Sequence, residues 1–302
     1  MKPLNFFLLL LATFTIVSCY DEILNFERSN SGQKLIQIAY NSLDKQEHFI
    51  RDYFYDDYGE ISEIKNDDGL LIEKFTYNSM DKVIKDVFFQ YSEFSKNKET
   101  TIISYDKNGK ISNLFTSYII YNLNDSIMTE NFTNHKIIYT PNSITRVSDD
   151  FMNTKVEFSL NNDLITRIKV HRNGKLDNDM TLTYDTNENC ISGIGTFKNY
   201  YYDTIDDIEF SVIYGTEEKV PILNSFFDYK ILTCSTFESF REVLINGRGN
   251  RYPEKIQWYR NKVDEYHETY DYLFDDQGNL ETKIINDEPD YMNYGIYTYT
   301  WE

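Results

Sequence analysis

The clearest structural signal in this chain is Tyr105-Asp106-Lys107-Asn108-Gly109-Lys110-Ile111. An aspartate directly follows an aromatic residue, a glycine comes three residues later, and an aliphatic residue lies six positions after the aromatic one. Asp and Gly at this spacing are typical of a type I turn whose last residue takes a positive φ. In hairpins this turn is accompanied by a glycine bulge. The stretch therefore predicts a β-hairpin in which Tyr105 and Ile111 pack on the same face.

The same pattern recurs along most of the chain. Further clear copies begin at Tyr55 and Phe274, and looser copies begin at Tyr77, Tyr139, Phe158 and Tyr184, the last two reaching Leu164 and Ile191. Apolar and polar residues alternate between the copies, and a period of two is typical of half-buried antiparallel strands. Successive copies up to Tyr184 start 19 to 34 residues apart, which argues against a strict solenoid. The predicted fold class is all-β, an antiparallel β-hairpin meander that forms a strongly curved sheet or a barrel-like structure.

Residues 195–265 break the repeat, and we predict an irregular insert there within a single β domain spanning 34–302. The run Ser235-Thr236-Phe237-Glu238 matches a helix capping box and precedes Phe240, Val243 and Leu244 at helical spacing. The pattern predicts one short helix that plugs or covers an open end of the sheet. The chain closes on an alternating strand in which Tyr297, Tyr299 and Trp301 share a face.

Residues 1–18 have the composition of a secretory signal peptide, with one basic residue before an apolar run that is too short for a stable membrane span. The run Ile16-Val17-Ser18-Cys19 resembles a bacterial lipobox, after which the signal is removed and Cys19 is acylated. The alternative is an ordinary signal peptide with a chance cysteine. Residues 19–33 would then be the lipidated cysteine and a flexible spacer. Lipidation at Cys19 predicts a membrane partner and a cell-envelope location, as an outer-membrane lipoprotein facing the periplasm or the cell surface.

The composition of the 302 residues excludes several classes of function. The formal net charge is −19, and nucleic acid is a poor partner for so acidic a chain because phosphates need a basic surface. The four histidines are scattered without ligand spacing and the turns lack a full calcium-loop pattern, so we predict no metal and no cofactor. Beyond Cys19, the remaining Cys190 and Cys234 either pair in an oxidising envelope or stay buried as small hydrophobes.

Two features are candidates for a ligand or a reaction. The run Tyr200, Tyr201 and Tyr202 is a candidate aromatic platform for a glycan or a protein, although packing at the core or rim accounts for the same residues. Adjacent acids such as Asp206 and Asp207 suit glycosidase chemistry only if two carboxyl groups face each other across a cleft. Neighbours in a strand point to opposite faces, so a solvated acidic surface is the simpler interpretation. We predict no catalytic residue.

The lipobox, the Tyr-Asp-x-x-Gly-x-Ile hairpins, the insert and the closing Tyr-Thr-Tyr-Thr-Trp strand together resemble a Bacteroidota lipoprotein family of unknown function with a porin-like β fold. The hairpins are also similar to YD repeats. The resemblance implies no catalytic residues, so we expect a non-enzymatic binding or structural module. The alternative is a surface glycan-processing enzyme that uses paired carboxylates. Charges such as Lys155, Glu157 and Arg167 on the polar strand faces predict an outer surface in water, because they are costly on a lipid-facing barrel.

Overall fold

The computed structural model of the protein describes residues 33–42, 48–92, 94–122, 124–199, 203–218, 230–232, 234, 240, 243–245, 250–288 and 295–302. The strands in these residues form one antiparallel sheet of 18 strands. The sheet closes on itself, because the first strand pairs with both the second and the last. The all-β prediction is confirmed, and the curved sheet is a closed barrel.

Each strand pairs with the next one along the chain. The strands are β1 Leu35–Ser42, β2 His48–Tyr55, β3 Ile61–Asn66, β4 Leu71–Tyr77, β5 Val83–Tyr91, β6 Ser95–Tyr105, β7 Ile111–Asn122, β8 Ile127–Thr140, β9 Ser143–Ser148, β10 Lys155–Asn161, β11 Leu164–Arg172, β12 Lys175–Tyr184, β13 Cys190–Asn199, β14 Thr204–Glu218, β15 Arg251–Arg260, β16 Val263–Phe274, β17 Leu280–Glu288 and β18 Gly295–Trp301.

Because every strand reverses the direction of the one before, the barrel has two distinct ends. At one end of the barrel the even-numbered strands end and the odd-numbered strands begin. This end carries hairpin turns such as the one after Tyr105, and we call it the turn rim. The opposite end, the loop rim, carries connections such as residues 149–154. The two ends of the described chain meet at the turn rim, where Lys34 and Glu302 exchange backbone hydrogen bonds of 2.7 and 2.9 Å.

The hairpin turns form as the sequence predicts. The backbone carbonyl of Asp106 accepts a hydrogen bond from the Gly109 N–H at 3.0 Å, and its carboxylate accepts from the N–H groups of Asn108 and Lys110 at 2.8 and 2.9 Å. The bond from Lys110 is the main reason that the pKa of Asp106 lies below its ordinary value. Gly109 has a φ of +75°, which glycine adopts without strain. All seven predicted copies lie at hairpins on the turn rim.

In two of the looser copies the cross-strand partner differs from the prediction: Phe158 lies opposite Ile168 rather than Leu164, and Tyr184 lies opposite Cys190 rather than Ile191. In the first copy the strand continues beyond the aromatic residue, to Asn161, which moves the facing residue further along the chain. The second copy keeps the bulge and the six-residue spacing of the clear copies, so Cys190 rather than Ile191 faces Tyr184.

The repeated tyrosines have a second role that the sequence pattern does not indicate. The Tyr105 hydroxyl donates a hydrogen bond of 2.7 Å to the Val83 carbonyl, at the start of the neighbouring strand. The same bond runs from Tyr55 to Leu35, Tyr77 to Ile61, Tyr184 to Ile165, Tyr214 to Cys190 and Tyr272 to Pro253, and the Trp301 indole N–H donates to the Leu280 carbonyl. Each ring therefore covers the core while its polar tip is satisfied. The bonds join neighbouring strands around the turn rim.

Strand structure continues into the stretch predicted to be irregular. β13, β14 and β15 occupy much of 195–265, and the connection from β14 to β15 is the shorter segment 219–250. Phe240 and residues 243–245 are helical, in agreement with the predicted helix, and its capping box lies outside the described residues. A second helical stretch, 230–232, has no sequence signal that we recognised. Within the described residues, no helix has both the length and the apolar character needed to cross a membrane.

The outer face of the barrel carries ion pairs, some between neighbouring strands and some within one strand. Arg167 donates to both carboxylate oxygens of Asp179, at 2.7 and 2.6 Å. On a neighbouring part of this face Lys155 lies 2.8 Å from Glu157. Exposed pairs of this kind contribute little to stability, but they show where water must reach. The polar strand faces that the sequence predicts do lie outside, and the apolar faces lie inside.

Candidate functional site

The described residues of the segment that connects β14 to β15 pack inside the barrel against its wall. Its described residues Ile231, Leu232 and Phe240 are buried, as are residues 243–245. The Phe240 ring meets the Phe158 ring of the wall edge-on, with centroids 5.9 Å apart. Rings in this arrangement attract each other beyond the burial of their surface. We call the described residues of this segment, 230–232, 234, 240 and 243–245, the plug.

Arg146 anchors the plug to the wall at β9. Its guanidinium donates to the Leu232 carbonyl at 2.6 Å, and the side chain is buried. Burial lowers the pKa of Arg146 to about 10, because the charged form loses its water. The helical carbonyl thus accepts from one guanidinium nitrogen, whereas the buried Arg146 Nε has no hydrogen-bond partner among the described residues.

A second polar anchor is the lysine–acid triad of Lys230, Glu73 and Asp86. The Lys230 ammonium of the plug lies 3.3 Å from Glu73 Oε1 on β4 and 3.4 Å from Asp86 Oδ2 on β5. All three side chains are buried, and Glu73 is only 1% exposed. The triad therefore places one positive charge beside two carboxyl groups inside the barrel.

The protonation of the triad follows from its excess of acid. Burial raises the pKa of Glu73 to about 8; Lys230 opposes this shift, whereas Asp86 adds to it. Burial disfavours the charged form of Lys230, but attraction to the two acids prevails and raises its pKa. At neutral pH Lys230 thus neutralises one carboxylate while the second carboxyl group keeps its proton. This arrangement leaves no net charge in the interior, which is what a low-dielectric site requires.

Beyond the triad, toward the loop rim, the interior is lined differently. Glu73, Phe88, Glu99 and Tyr118 lie directly opposite one another on β4 to β7, so their side chains share the inner face. Phe88, Glu99 and Tyr118 are only half-buried, and Asn131, opposite Tyr118, is exposed. Water therefore reaches the inner wall here. We call this half of the interior, lined by Phe88, Gln90, Asn97, Glu99 and Tyr118, the lumenal cup.

The cup combines aromatic rings with hydrogen-bonding groups. Asn97 donates to the Gln90 side-chain carbonyl at 3.2 Å. The Asn97 side-chain oxygen and the Tyr118 hydroxyl are buried and have no hydrogen-bond partner among the described residues. Burial raises the pKa of Glu99 to about 7, with a smaller contribution from Asp86, so this carboxyl group is half-protonated near neutral pH. Such poorly satisfied polar groups favour a site that takes part in binding over one that only packs.

A second part of the inner wall is basic and aromatic. On β1, β2 and β18 the rings of Tyr40, Phe49 and Tyr297 cluster, with centroids 4.9 Å apart for Tyr40–Phe49 and 4.7 Å for Tyr40–Tyr297. The Arg51 guanidinium lies 5.2 Å from the Phe49 ring centre, and the Lys283 ammonium lies 5.5 Å from that of Tyr297. These are cation–π distances. The inner wall near the loop rim thus has an acidic side and a basic side.

The residues that the sequence singled out occupy other places. Cys19 and the run Tyr200, Tyr201 and Tyr202 lie outside the described residues, although β13 and β14, which flank the run, meet at the loop rim. Asp206 is buried and accepts from the Asn261 side chain at 3.2 Å, whereas Asp207 is exposed, so the two do not form a facing pair. Cys190 and Cys234 are both buried and are not joined by a disulfide.

Sequence reasoning missed the triad and Glu99. The signal was present for the acids: Glu73 shares the alternation of Phe75 and Tyr77, which places a carboxyl group on an otherwise apolar face. A charge at an inward position of a strand is uncommon unless it is paired. No comparable signal marks Lys230, because its partners lie far away in sequence. Among the described residues, no three His, Cys, Asp or Glu side chains form a group that could hold a metal ion.

Comparison with known proteins adds a weak structural likeness. The chain is similar to a porin-like protein from Bacteroides uniformis ATCC 8492, with a TM-score of 0.35 and 13% sequence identity over 72% of this chain and 95% of that one. A likeness of this size carries no meaning for function. No protein-family model matches the sequence, and no curated protein matches it.

Proposed function

We propose that the protein is a cell-envelope lipoprotein that acts as a non-enzymatic binding module and takes a small polar ligand into the lumenal cup. One observation carries this proposal: the exposure of the inner wall differs between the two ends of the barrel among the described residues. Inner side chains such as Leu114, toward the turn rim, are fully buried, whereas inner side chains such as Glu99, toward the loop rim, keep contact with solvent. An inner wall lined with accessible polar and aromatic groups suits ligand binding.

The lining indicates the chemistry of the ligand. The rings of Phe88 and Tyr118 offer apolar faces, while Gln90, Asn97 and Glu99 offer hydrogen-bonding groups beside them. Alternating rings and hydrogen-bonding groups suit a sugar, whose CH face stacks on an aromatic ring while its hydroxyls bond at the edges. A glycan fragment is therefore the ligand class that this wall supports best.

The orientation of the cup also fits an anchored protein. Cys19 precedes β1, which begins at the turn rim, so a lipid on Cys19 would hold the chain by the plugged end. The cup at the loop rim would then be the end remote from the attachment point. The charged outer pairs, such as Arg167 with Asp179, support a barrel that stands in water rather than one that spans the bilayer.

A second function, glycan hydrolysis, is favoured by one observation. Glu99 has a pKa raised to about 7, which suits a general acid. Hydrolysis needs a second carboxylate that faces the first across the substrate. The two nearest described acids, Glu73 and Asp86, are instead bound to Lys230 beneath the cup. We therefore retain binding without turnover as the proposed function.

A glycan array probed with the soluble mature form, beginning after Cys19, tests the proposal. Binding without hydrolysis of the bound glycan supports it. The variant Glu99→Gln should weaken binding, whereas the matched variant Glu63→Gln on the outer face of β3 should not. Hydrolysis that Glu99→Gln abolishes would establish the enzyme instead, and an array without any hit would overturn the glycan proposal. Palmitate labelling of the wild type and of Cys19→Ala tests the anchor separately, since equal labelling would refute it.

A further inference from the structure

We propose that the ligand of the lumenal cup carries a positively charged amino group, so that the protein selects glycans with free amino groups, such as glucosamine oligomers, over their N-acetylated forms. This inference rests on the proposed function, because it names the class of glycan that the same site would take. It stands on three features of the described wall: its charge, the polar atoms that lack a partner, and the rings beside Glu99.

The inner face of β4 to β8 carries acidic side chains but no lysine or arginine. Glu73, Asp86 and Glu99 occupy inward positions on three successive strands. The lysines of these five strands alternate with the inward positions and point outward: Lys74, Lys85, Lys96, Lys98 and Lys136. Lys230 of the plug pairs with Glu73 and Asp86, whereas Glu99 forms no ion pair among the described residues. The wall therefore offers an inward acid that a cationic ligand could neutralise.

The buried polar atoms that lack a partner in this wall are oxygens. Glu73 Oε2, the Asn97 side-chain oxygen and the Tyr118 hydroxyl have no hydrogen-bond partner among the described residues, and Glu73 is only 1% exposed. No buried side-chain nitrogen of the cup is in this condition. Amide, hydroxyl and ionised carboxyl oxygens accept hydrogen bonds, and an ammonium group brings three donors and no acceptor. The wall is therefore matched to a ligand that donates.

Aromatic rings lie on both sides of Glu99. Phe88 on β5 and Tyr118 on β7 are each directly opposite Glu99 on β6, so the three side chains are neighbours on the inner face. All three are half-buried, and Asn131 opposite Tyr118 is exposed, so a ligand can reach them. The face of a ring attracts a cation and also stacks on the CH face of a sugar. A carboxyl group between two rings thus adds, for a cationic sugar, an attraction that a neutral sugar lacks.

The protonation of Glu99 gives the inference a measurable sign. Burial raises the pKa of Glu99 to about 7, Asp86 adds to the shift and Lys230 opposes it. Of the other titratable groups on this wall, Glu73 keeps its proton near neutral pH and Tyr118 stays neutral because burial raises its pKa. A bound ammonium group would favour the ionised form of Glu99, so binding at slightly acidic pH should release a proton.

Basic side chains lie on other strands of the inner wall. Arg51 on β2 stands beside the Phe49 ring, and Lys283 on β17 stands beside the Tyr297 ring. An acidic sugar would be drawn to that side rather than to Glu99. A sugar acid is therefore the counter-probe that distinguishes selection of an amino group from selection of a carboxylate.

Calorimetric titration of the soluble mature form with three trisaccharides tests the inference. Tri-glucosamine should bind about 10- to 100-fold more tightly than tri-N-acetylglucosamine, as expected for a hydrogen bond between charged groups. Glu99→Gln should bring the ratio of these affinities close to one, whereas Glu63→Gln on the outer face of β3 should leave it unchanged.

The outcomes separate this inference from the proposed function. Equal affinity of the wild type for tri-glucosamine and tri-N-acetylglucosamine, or tighter binding of tri-galacturonate than of either, would overturn the amino-sugar inference and leave glycan binding standing. A ratio that falls equally in Glu63→Gln would also overturn it, because the acidic surface would then account for the preference. Absence of binding to every glycan would overturn both proposals.

Proton release is a second readout. At about pH 6.5 a carboxyl group with a pKa of about 7 is roughly three-quarters protonated, so tri-glucosamine should release roughly 0.7 proton on binding. Titrations in two buffers of different ionisation enthalpy count these protons. Glu99→Gln should release almost none, and a wild type that released none would overturn the pairing of the amino group with Glu99.

Tyr118→Phe tests the hydroxyl without loss of an internal hydrogen bond, since this hydroxyl has no partner among the described residues. The variant should bind tri-glucosamine roughly 2- to 10-fold more weakly and unfold at the same urea concentration as the wild type. Tyr58→Phe, at an exposed site, is the matched control and should bind normally. Equal affinities of the two variants would contradict the placement of the amino group against this wall.

Discussion

Replacing Glu73 by Gln should remove a large part of the loss of stability that the protein suffers as the pH rises. Glu73 has a pKa of about 8 in the folded protein against an ordinary value of 4.5. Below the lower value the carboxyl group is protonated in both states, so it has no effect on the free energy of unfolding. Between the two values the unfolded chain releases a proton that the folded chain keeps, and the folded state becomes progressively less stable.

The size of the effect follows from the two pKa values. Their difference corresponds to about 5 kcal/mol at alkaline pH, of which about 3 to 4 kcal/mol develops between about pH 5 and about pH 8. Gln has nearly the same shape as protonated Glu and no charge to desolvate, and its carbonyl can still accept from Lys230. The variant should therefore match the wild type near pH 5 and exceed it in stability near pH 8, by several kcal/mol at these values.

Urea denaturation at a series of pH values measures this difference directly. Glu63→Gln is the matched control, because hydrogen bonds from Lys74 and Lys65 lower the pKa of Glu63 on the outer face of β3. The ionised Glu63 side chain stabilises the folded protein above its ordinary pKa, and this stabilisation is lost as the pH falls. Its dependence on pH is therefore opposite to that of Glu73. If Glu73→Gln showed the same decline as the wild type, or were much less stable near neutral pH, Glu73 would be ionised in the folded protein and our assignment would be wrong.

Three further predictions concern the plug, the repeat and the sheet. Lys230→Met should lower the free energy of unfolding, measured in urea, by about 3 to 5 kcal/mol. Adding Asp86→Asn to this variant should restore much of the lost stability. If stability did not recover, the unpaired charge would not be the cause of the loss. Tyr105→Phe removes the hydrogen bond to the neighbouring strand and should lower the free energy of unfolding by about 0.5 to 1.5 kcal/mol in the same assay. The control Tyr58→Phe, at an exposed site, should leave the free energy of unfolding almost unchanged. Equal losses in the two variants would contradict the role of the Tyr105 hydroxyl. Gly195→Ala should lower the free energy of unfolding by about 3 kcal/mol, because a Cβ at this position would overlap backbone atoms of the neighbouring strand. Thermal unfolding measures this loss, and an unchanged melting temperature would refute the close packing.

The hairpins could be predicted because their signals are local. Asp106 bonds to residues no more than four positions away, and the alternation that follows each turn needs no knowledge of the rest of the chain. The prediction named the wrong cross-strand partner in two looser copies: Tyr184 keeps the six-residue spacing of the clear copies, and the strand of Phe158 runs on to Asn161 before it turns. The aromatic residue of the repeat was recognised as a packing group, but the carbonyl that its hydroxyl reaches becomes known only from the register.

The closure of the barrel and the candidate site could not be predicted in the same way. β1 and β18 pair across almost the whole chain, and no residue in either strand specifies the other. Lys230 meets Glu73 and Asp86 only after the plug has entered the barrel. Glu73 and Glu99 were overlooked because acids in an acidic chain were assigned to a solvated surface. Their place in the apolar alternation was the better guide, since an inward charge implies a partner or a ligand.

The hydrogen bonds between Lys34 and Glu302 have a consequence for how the chain can be cut and rejoined. Because the two segments lie side by side, a short peptide could link them without stretching, and new termini could then be opened at any exposed turn. Circular permutants opened at Gly174, where the connection is short and exposed, should assemble the same barrel. Strand order around the ring would be preserved while the order of synthesis changed, so comparison of the permutants would reveal whether any one hairpin must be made first.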